Sequence, residues 1–205
     1  MNTALKAICS FAAFTLAFVL AGSWTWGDDV RPVNSNETAK ILTEAAKPSA
    51  EHARLEPLIG NWTYTGKSWL FPNQQAVEMK GTIEREWVLG GRFIEERYAG
   101  TGIDGKPGFE GRALLGYDNA QKKFTSSFVC NQGTGTCTGL GTADAAGTFT
   151  FQTQSFCPIA KKIVHGREVL RIEGSDRVVH ESYVTEEGKE RKIMEYVAVR
   201  QENQD

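Results

Sequence analysis

The chain has 205 residues, 40% of them hydrophobic, with 23 Lys and Arg against 25 Asp and Glu for a formal net charge of -2. That length suits one domain with a sizeable core and is too short for two ordinary domains plus linkers. Near-balanced, scattered charge excludes the basic footprint of a nucleic-acid binder and the polybasic patch of a membrane-surface protein.

Residues 1–22 (MNTALKAICSFAAFTLAFVLAG) hold one cation, Lys6, an apolar run from Ala7 to Ala21, and small residues at Ala21, Gly22 and Ser23. This is the layout of a secretory signal peptide, and the run is shorter than the roughly 20 residues of a membrane-spanning helix. A secreted or periplasmic protein is expected, with no membrane attachment after cleavage. Cys9 lies inside the apolar run, where it does not suit a lipid-anchored mature N-terminus.

Residues 23–48 read as a tether and a short helix. The stretch 23–35 is polar and irregular; Asn36 is placed to cap ETAKILTEAAK, which Pro48 stops, and Ser49 to cap a further turn or two in AEHARLEPLIG. From Trp62 onward, runs rich in Val, Ile, Thr and aromatics recur every 10 to 15 residues between Gly-bearing turns. Strands are expected near 61–70, 76–88, 92–100, 110–117, 123–130, 136–144, 148–156, 162–172, 176–184 and 190–200. The turns at Gly90-Gly91, Asp118-Asn119, Ala146-Gly147 and Glu187-Gly188 are tight enough to join antiparallel neighbours. A meander of about ten strands must curl closed or expose long edges. The fold expected is all-β: a single antiparallel up-and-down barrel over residues 49–202, with the short N-terminal helices over one end.

The alternation within strands is not cleanly amphipathic. Ile83, Arg85, Trp87 and Leu89 share one face and Glu84 and Glu86 the other; next along, Phe93, Glu95 and Arg97 oppose Ile94, Glu96 and Tyr98. Charges on both faces fit a barrel with a partly polar lumen, or ladders between solvent-facing strands.

Several pieces resemble one bacterial family, domain of unknown function 1579. They are LIGNW, LGGRFIEERYAG, FEGRALLGYDNAQKKF with its GYDN turn, GTGTCTG, and the closing KIMEYVAVR, which run in order from about Leu55 to Arg200. The resemblance implies a lipocalin-like or fatty-acid-binding-protein-like barrel and no particular activity; the set Cys130, Cys137 and Cys157 is not part of the family pattern. By analogy with similar barrels, the G-x-W residue Trp62 plugs one end and Arg200 from the last strand lies over its face, a structural role worth about 0.5–2 kcal/mol as a cation–π contact.

Other chemistry is sparse. Gly100, Gly102 and Gly105 satisfy G-x-G-x-x-G, but Pro107 and a strand follow where a dinucleotide site needs a helix. No G-x-S-x-G, P-loop or H-E-x-x-H is present. His52, His165 and His180 are isolated, although the turn near Gly174 allows His165 and His180 to meet on neighbouring strands as a weak metal or haem candidate; no metal site or cofactor is assigned. Cys130 and Cys137 flank NQGTGT and suit either a cross-hairpin disulfide or free thiols. Glu95, Arg112 and Glu181 are further strand charges, and the ligand-binding candidates are Trp87, Arg97, Tyr117 and Glu195, with Tyr98 as additional wall: an Arg for a ligand carboxylate, a Glu to balance it, and aromatic walls. The first functional reading is an exported barrel carrying a small apolar or amphipathic molecule. A barrel enzyme using a lumen carboxylate as general base, or a solidly packed interaction protein, are the alternatives.

Overall fold

The computed structural model describes residues 34–69, 75–102 and 104–202. The expected signal peptide and nearly all of the irregular stretch after it lie outside the described residues. Helix α1 spans Ser35–Ala45. Asn34, not Asn36, caps it: the Asn34 Oδ1 accepts the Asn36 backbone N–H at 3.0 Å, because a capping side chain must sit one residue outside the helix to reach the free N–H groups of the first turn. Helix α2 (Ala50–Ala53) follows Ser49, whose backbone N–H donates to Nδ1 of His52 at 3.0 Å. A single 3-10 turn, Glu56–Leu58, begins with Pro57 in its first turn and delivers the chain to the barrel.

Ten strands follow: β1 (Gly60–Ser68), β2 (Val77–Val88), β3 (Phe93–Thr101), β4 (Pro107–Asp118), β5 (Lys123–Cys130), β6 (Cys137–Ala143), β7 (Thr148–Cys157), β8 (Lys162–Glu173), β9 (Arg177–Glu186) and β10 (Lys189–Arg200). Each pairs antiparallel with its sequence neighbours, and β10 pairs with β1 to close the barrel. The G-x-G-x-x-G stretch is the β3–β4 hairpin loop, where the Gly102 N–H donates to the Lys106 carbonyl at 2.9 Å. At the expected hairpin turn after β2, Gly90 and Gly91 take φ of 68° and 79°, conformations in which a Cβ is strained.

Strand alternation sends one face of every strand inward. The inner layer nearest the short helices is dry: Leu55 and Leu58 come down from the chain before β1 and meet Trp62, Ile83, Ile94, Phe124, Phe149, Val178 and Ala198. Phe124 and Phe149 pack edge to face with centroids 4.9 Å apart. The Trp62 indole N–H donates to the Leu58 carbonyl at 2.8 Å, so this largest side chain is buried without an unpaired donor. One end of the barrel is therefore sealed. Towards the other, the inner face turns to Tyr, Ser, Thr and Gly, and the side chains stop filling the space.

Candidate ligand cavity

The sealed end rests on the G-x-W motif. Arg200, the last residue of β10, is in register with Trp62 on β1, and its guanidinium carbon lies 4.2 Å from the centroid of the indole. The guanidinium also donates to three backbone carbonyls: Ile59 at 2.5 Å, Pro57 at 2.7 Å and Ser175 at 2.8 Å. One cation thus ties the chain before β1 to the β8–β9 turn, and covers the indole.

Above Trp62 comes a buried ion pair. Arg85 and Glu96 oppose each other across β2 and β3, and the Arg85 Nε donates to Glu96 Oε1 at 2.5 Å with both side chains almost wholly out of water. Arg85 also sits 5.5 Å from the Trp62 ring centroid. Burial pushes its guanidinium towards neutrality, and the Glu96 carboxylate more than offsets this, holding the cation charged. The other Glu96 oxygen accepts from the Tyr98 hydroxyl at 3.0 Å; the Tyr98 and Tyr196 hydroxyls lie 3.3 Å apart; and the Tyr196 ring stacks on His180 at 4.8 Å. Burial raises both phenols above their ordinary range, so both stay protonated. This chain of groups forms a polar floor inside the barrel.

Over the floor lies a cavity of about 410 Å³, large enough for a small organic molecule. Its lower wall carries Tyr64, Tyr98, Tyr196 and Phe151, its side Phe128, Cys137 and Glu168, and its rim residues of the hairpin loops such as Gly102 and Gln132. The lining is mostly apolar. Gly66 and Gly81 let their strands approach closely, since a Cβ on either would run into neighbouring backbone at 2.2 and 2.1 Å. Cys137 faces this space, and burial, then the Glu168 charge, push its thiol up to about 11.

The family model for a protein of unknown function, DUF1579, matches residues 47–200, which is the barrel together with the turns that lead into it. The chain belongs to the DUF1579 family. Among solved structures this DUF1579 barrel is similar to Rv2717c from M. tuberculosis, at 18% identity and a TM-score of 0.56, over 76% of this chain and 100% of that one. A redesigned β-barrel matches at 13% identity and a TM-score of 0.39, over 73% of this chain and 96% of that one. No curated protein matches the sequence. The likeness to Rv2717c shows the barrel fold.

The DUF1579 barrel puts the four ligand-binding candidates outside the cavity. Arg97 and Glu195 point outward: Arg97 pairs with Glu84 at 3.6 Å and with Glu86 and Glu95, and Glu195 accepts from Lys192 at 2.9 Å. Trp87 and Tyr117 point inward but at the sealed end, where the Trp87 indole donates to Glu56 at 2.6 Å and Tyr117 packs between His52, 5.8 Å away, and Phe124, 4.9 Å away. On β2 and β3 the inward charges are instead Arg85 and Glu96, on the faces opposite Glu86 and Arg97. Register with β4 carries the signal that separates the two faces, because Ile94 sits beside Leu115 while Arg97 sits beside Arg112.

His165 and His180 do not meet. His180 lies opposite Leu170, and His165, five residues earlier on β8, lies opposite Gln154 on β7. Both border the cavity. Cys130, Cys137 and Cys157 are unbridged; Phe128, not Cys130, faces Cys137 across β5 and β6. His52 is buried below Tyr117, where burial and then the Arg92 charge lower its pKa.

Proposed function

We propose that this protein is an exported carrier that holds a small amphipathic molecule in the barrel lumen. The observation that carries this reading is the 410 Å³ cavity, mostly apolar in its wall and closed below by the Glu96, Tyr98, Tyr196 and His180 floor. An apolar body fills the wall, and a polar group meets the floor. A solidly packed interaction domain has no use for such a space. The signal-like residues 1–22 support export to the periplasm or beyond.

An enzyme of the same architecture is the second reading, favoured by one observation: Glu168 faces the cavity with the His180 Nε2 at 3.9 Å, a carboxylate in position to take a proton from a bound molecule. Native mass spectrometry of the protein purified from its own host separates the two. A reproducible retained mass that leaves unchanged on unfolding supports a carrier. Release of a chemically altered molecule supports catalysis, and repeated recovery of the bare chain counts against the carrier. The mass of the mature chain in the same experiment reports removal of residues 1–22, and a full-length mass overturns export by this route.

A further inference from the structure

We propose that the ligand is a cation: an amine with an aromatic or otherwise apolar body, its ammonium set against Glu168. The inference rests on the carrier reading and deepens it. It comes from an inventory of the cavity wall, which contains two carboxylates, Glu96 and Glu168, and no Lys or Arg. Arg85 neutralises Glu96 from behind the wall. Glu168 has no such partner: among the described residues, His180 at 3.9 Å is the one basic group within ion-pair range.

Cations on β8 and on the neighbouring end of β10 are paired with other carboxylates. Arg167 pairs with Glu190 at 2.6 Å, Arg171 with Glu181 at 2.7 Å, Arg191 with Glu186 at 2.9 Å and Lys192 with Glu181 and Glu195. Arg167, the strand neighbour of Glu168, alternates away from the lumen, as the neighbour of an inward residue must. The lumen therefore presents one carboxylate, about three-quarters covered by protein, that no Lys or Arg meets. A partly buried carboxylate costs free energy until a cation meets it. A ligand carboxylate brings a second negative charge and finds no guanidinium to receive it.

Two further features suit an ammonium with an apolar body. Rings flank the space beside Glu168: Tyr196 stacked on His180, and Tyr98 edge-on to Phe128 at 5.9 Å. Ring faces attract cations. Ser68 Oγ is wholly buried in the cavity wall with no hydrogen-bond partner, a hydroxyl that can accept from an ammonium. Ammonium groups donate and do not accept.

The test uses three probes of one shape, 3-phenylpropylammonium, 3-phenylpropan-1-ol and 3-phenylpropionate, titrated calorimetrically into the mature protein at pH 7. The expected order is the ammonium about tenfold or more tighter than the alcohol, with the carboxylate weakest. Glu168→Gln, isosteric and confirmed folded by circular dichroism, is expected to erase the ammonium preference and leave the alcohol unchanged, whereas the outward Glu195→Gln keeps the preference. Equal or tighter binding of the carboxylate, or a preference that survives Glu168→Gln, overturns the cation and leaves the carrier standing. If none of the three binds and the neutral dye Nile red also fails to bind, the carrier reading falls with it.

Discussion

A methyl group built on Gly60 would lie 2.7 Å from Nη1 of Arg200, so the glycine of G-x-W and the arginine that ends β10 occupy one another's space. Gly60 also holds φ at 119°, where an L side chain is strained. Gly60→Ala therefore meets two penalties and is expected to lower stability by about 2–3 kcal/mol. Arg200→Lys keeps the charge but loses the fork that reaches three carbonyls, and is expected to cost about 1–2 kcal/mol. Urea unfolding followed by tryptophan fluorescence measures both; a Gly60→Ala protein as stable as the wild type would show that the close approach is not required.

The buried Arg85–Glu96 pair makes a sharper demand. Removing one partner strands a charge, so Glu96→Leu and Arg85→Met are each expected to cost about 3–5 kcal/mol, while the double variant recovers most of that loss. A double-mutant cycle in urea reads the difference. Additive losses would mean that the two groups are not coupled as their geometry indicates.

On the outer wall, Glu181 accepts from Arg171 at 2.7 Å and from Lys192. The Lys192 bond foremost, with help from Arg171, holds the folded carboxyl at about 2 against an ordinary value of 4.5. Its contribution is thus complete above pH ~5 and disappears as pH falls from the unfolded towards the folded value. Glu181→Gln is expected to lose about 1 kcal/mol at pH 7 and to match the wild type near pH 2, a convergence that thermal melts across that range test directly.

Cys137 offers a chemical readout of the lumen. With its thiol pushed up to about 11 by burial and by Glu168, the thiolate fraction at pH 8 is small. Alkylation of Cys137 by iodoacetamide is expected to be at least about tenfold slower in the folded protein than in urea, and peptide mapping locates the adduct. Fast modification of the folded chain would place the thiol in open water.

The barrel was legible because its strands carry period-two patterning and its turns carry glycine, and both are local. Arg200 and Trp62 were findable through a motif that recurs in similar barrels. The lumen was not, and β3 shows why: Glu95, Glu96 and Arg97 are equally charged in sequence, and only pairing with β4 puts Glu96 inside and its neighbours outside. Trp87 and Tyr117, expected as ligand-contacting walls, do point inward, yet inwardness does not say which end of the barrel a ring reaches. Their distance from the cavity is set by the turn Glu56–Leu58 and by His52, which fill the barrel end beneath them. Glu168 was invisible for a related reason, since its meaning lies in the cations that pair with other carboxylates.

Nine of the ten strand pairings join neighbours in sequence, and the tenth joins the first strand to the last. The nine short-range pairings can zip in succession, each closing a small loop, whereas the β1–β10 seam must close a loop of the whole barrel. A chain emerging from its N-terminus thus remains an unsealed ribbon with the edge of β1 bare until residue 200 has been made. Completion of the container waits for the last strand, and Arg200, the residue that ends it, fastens the seam at the end where β1 begins.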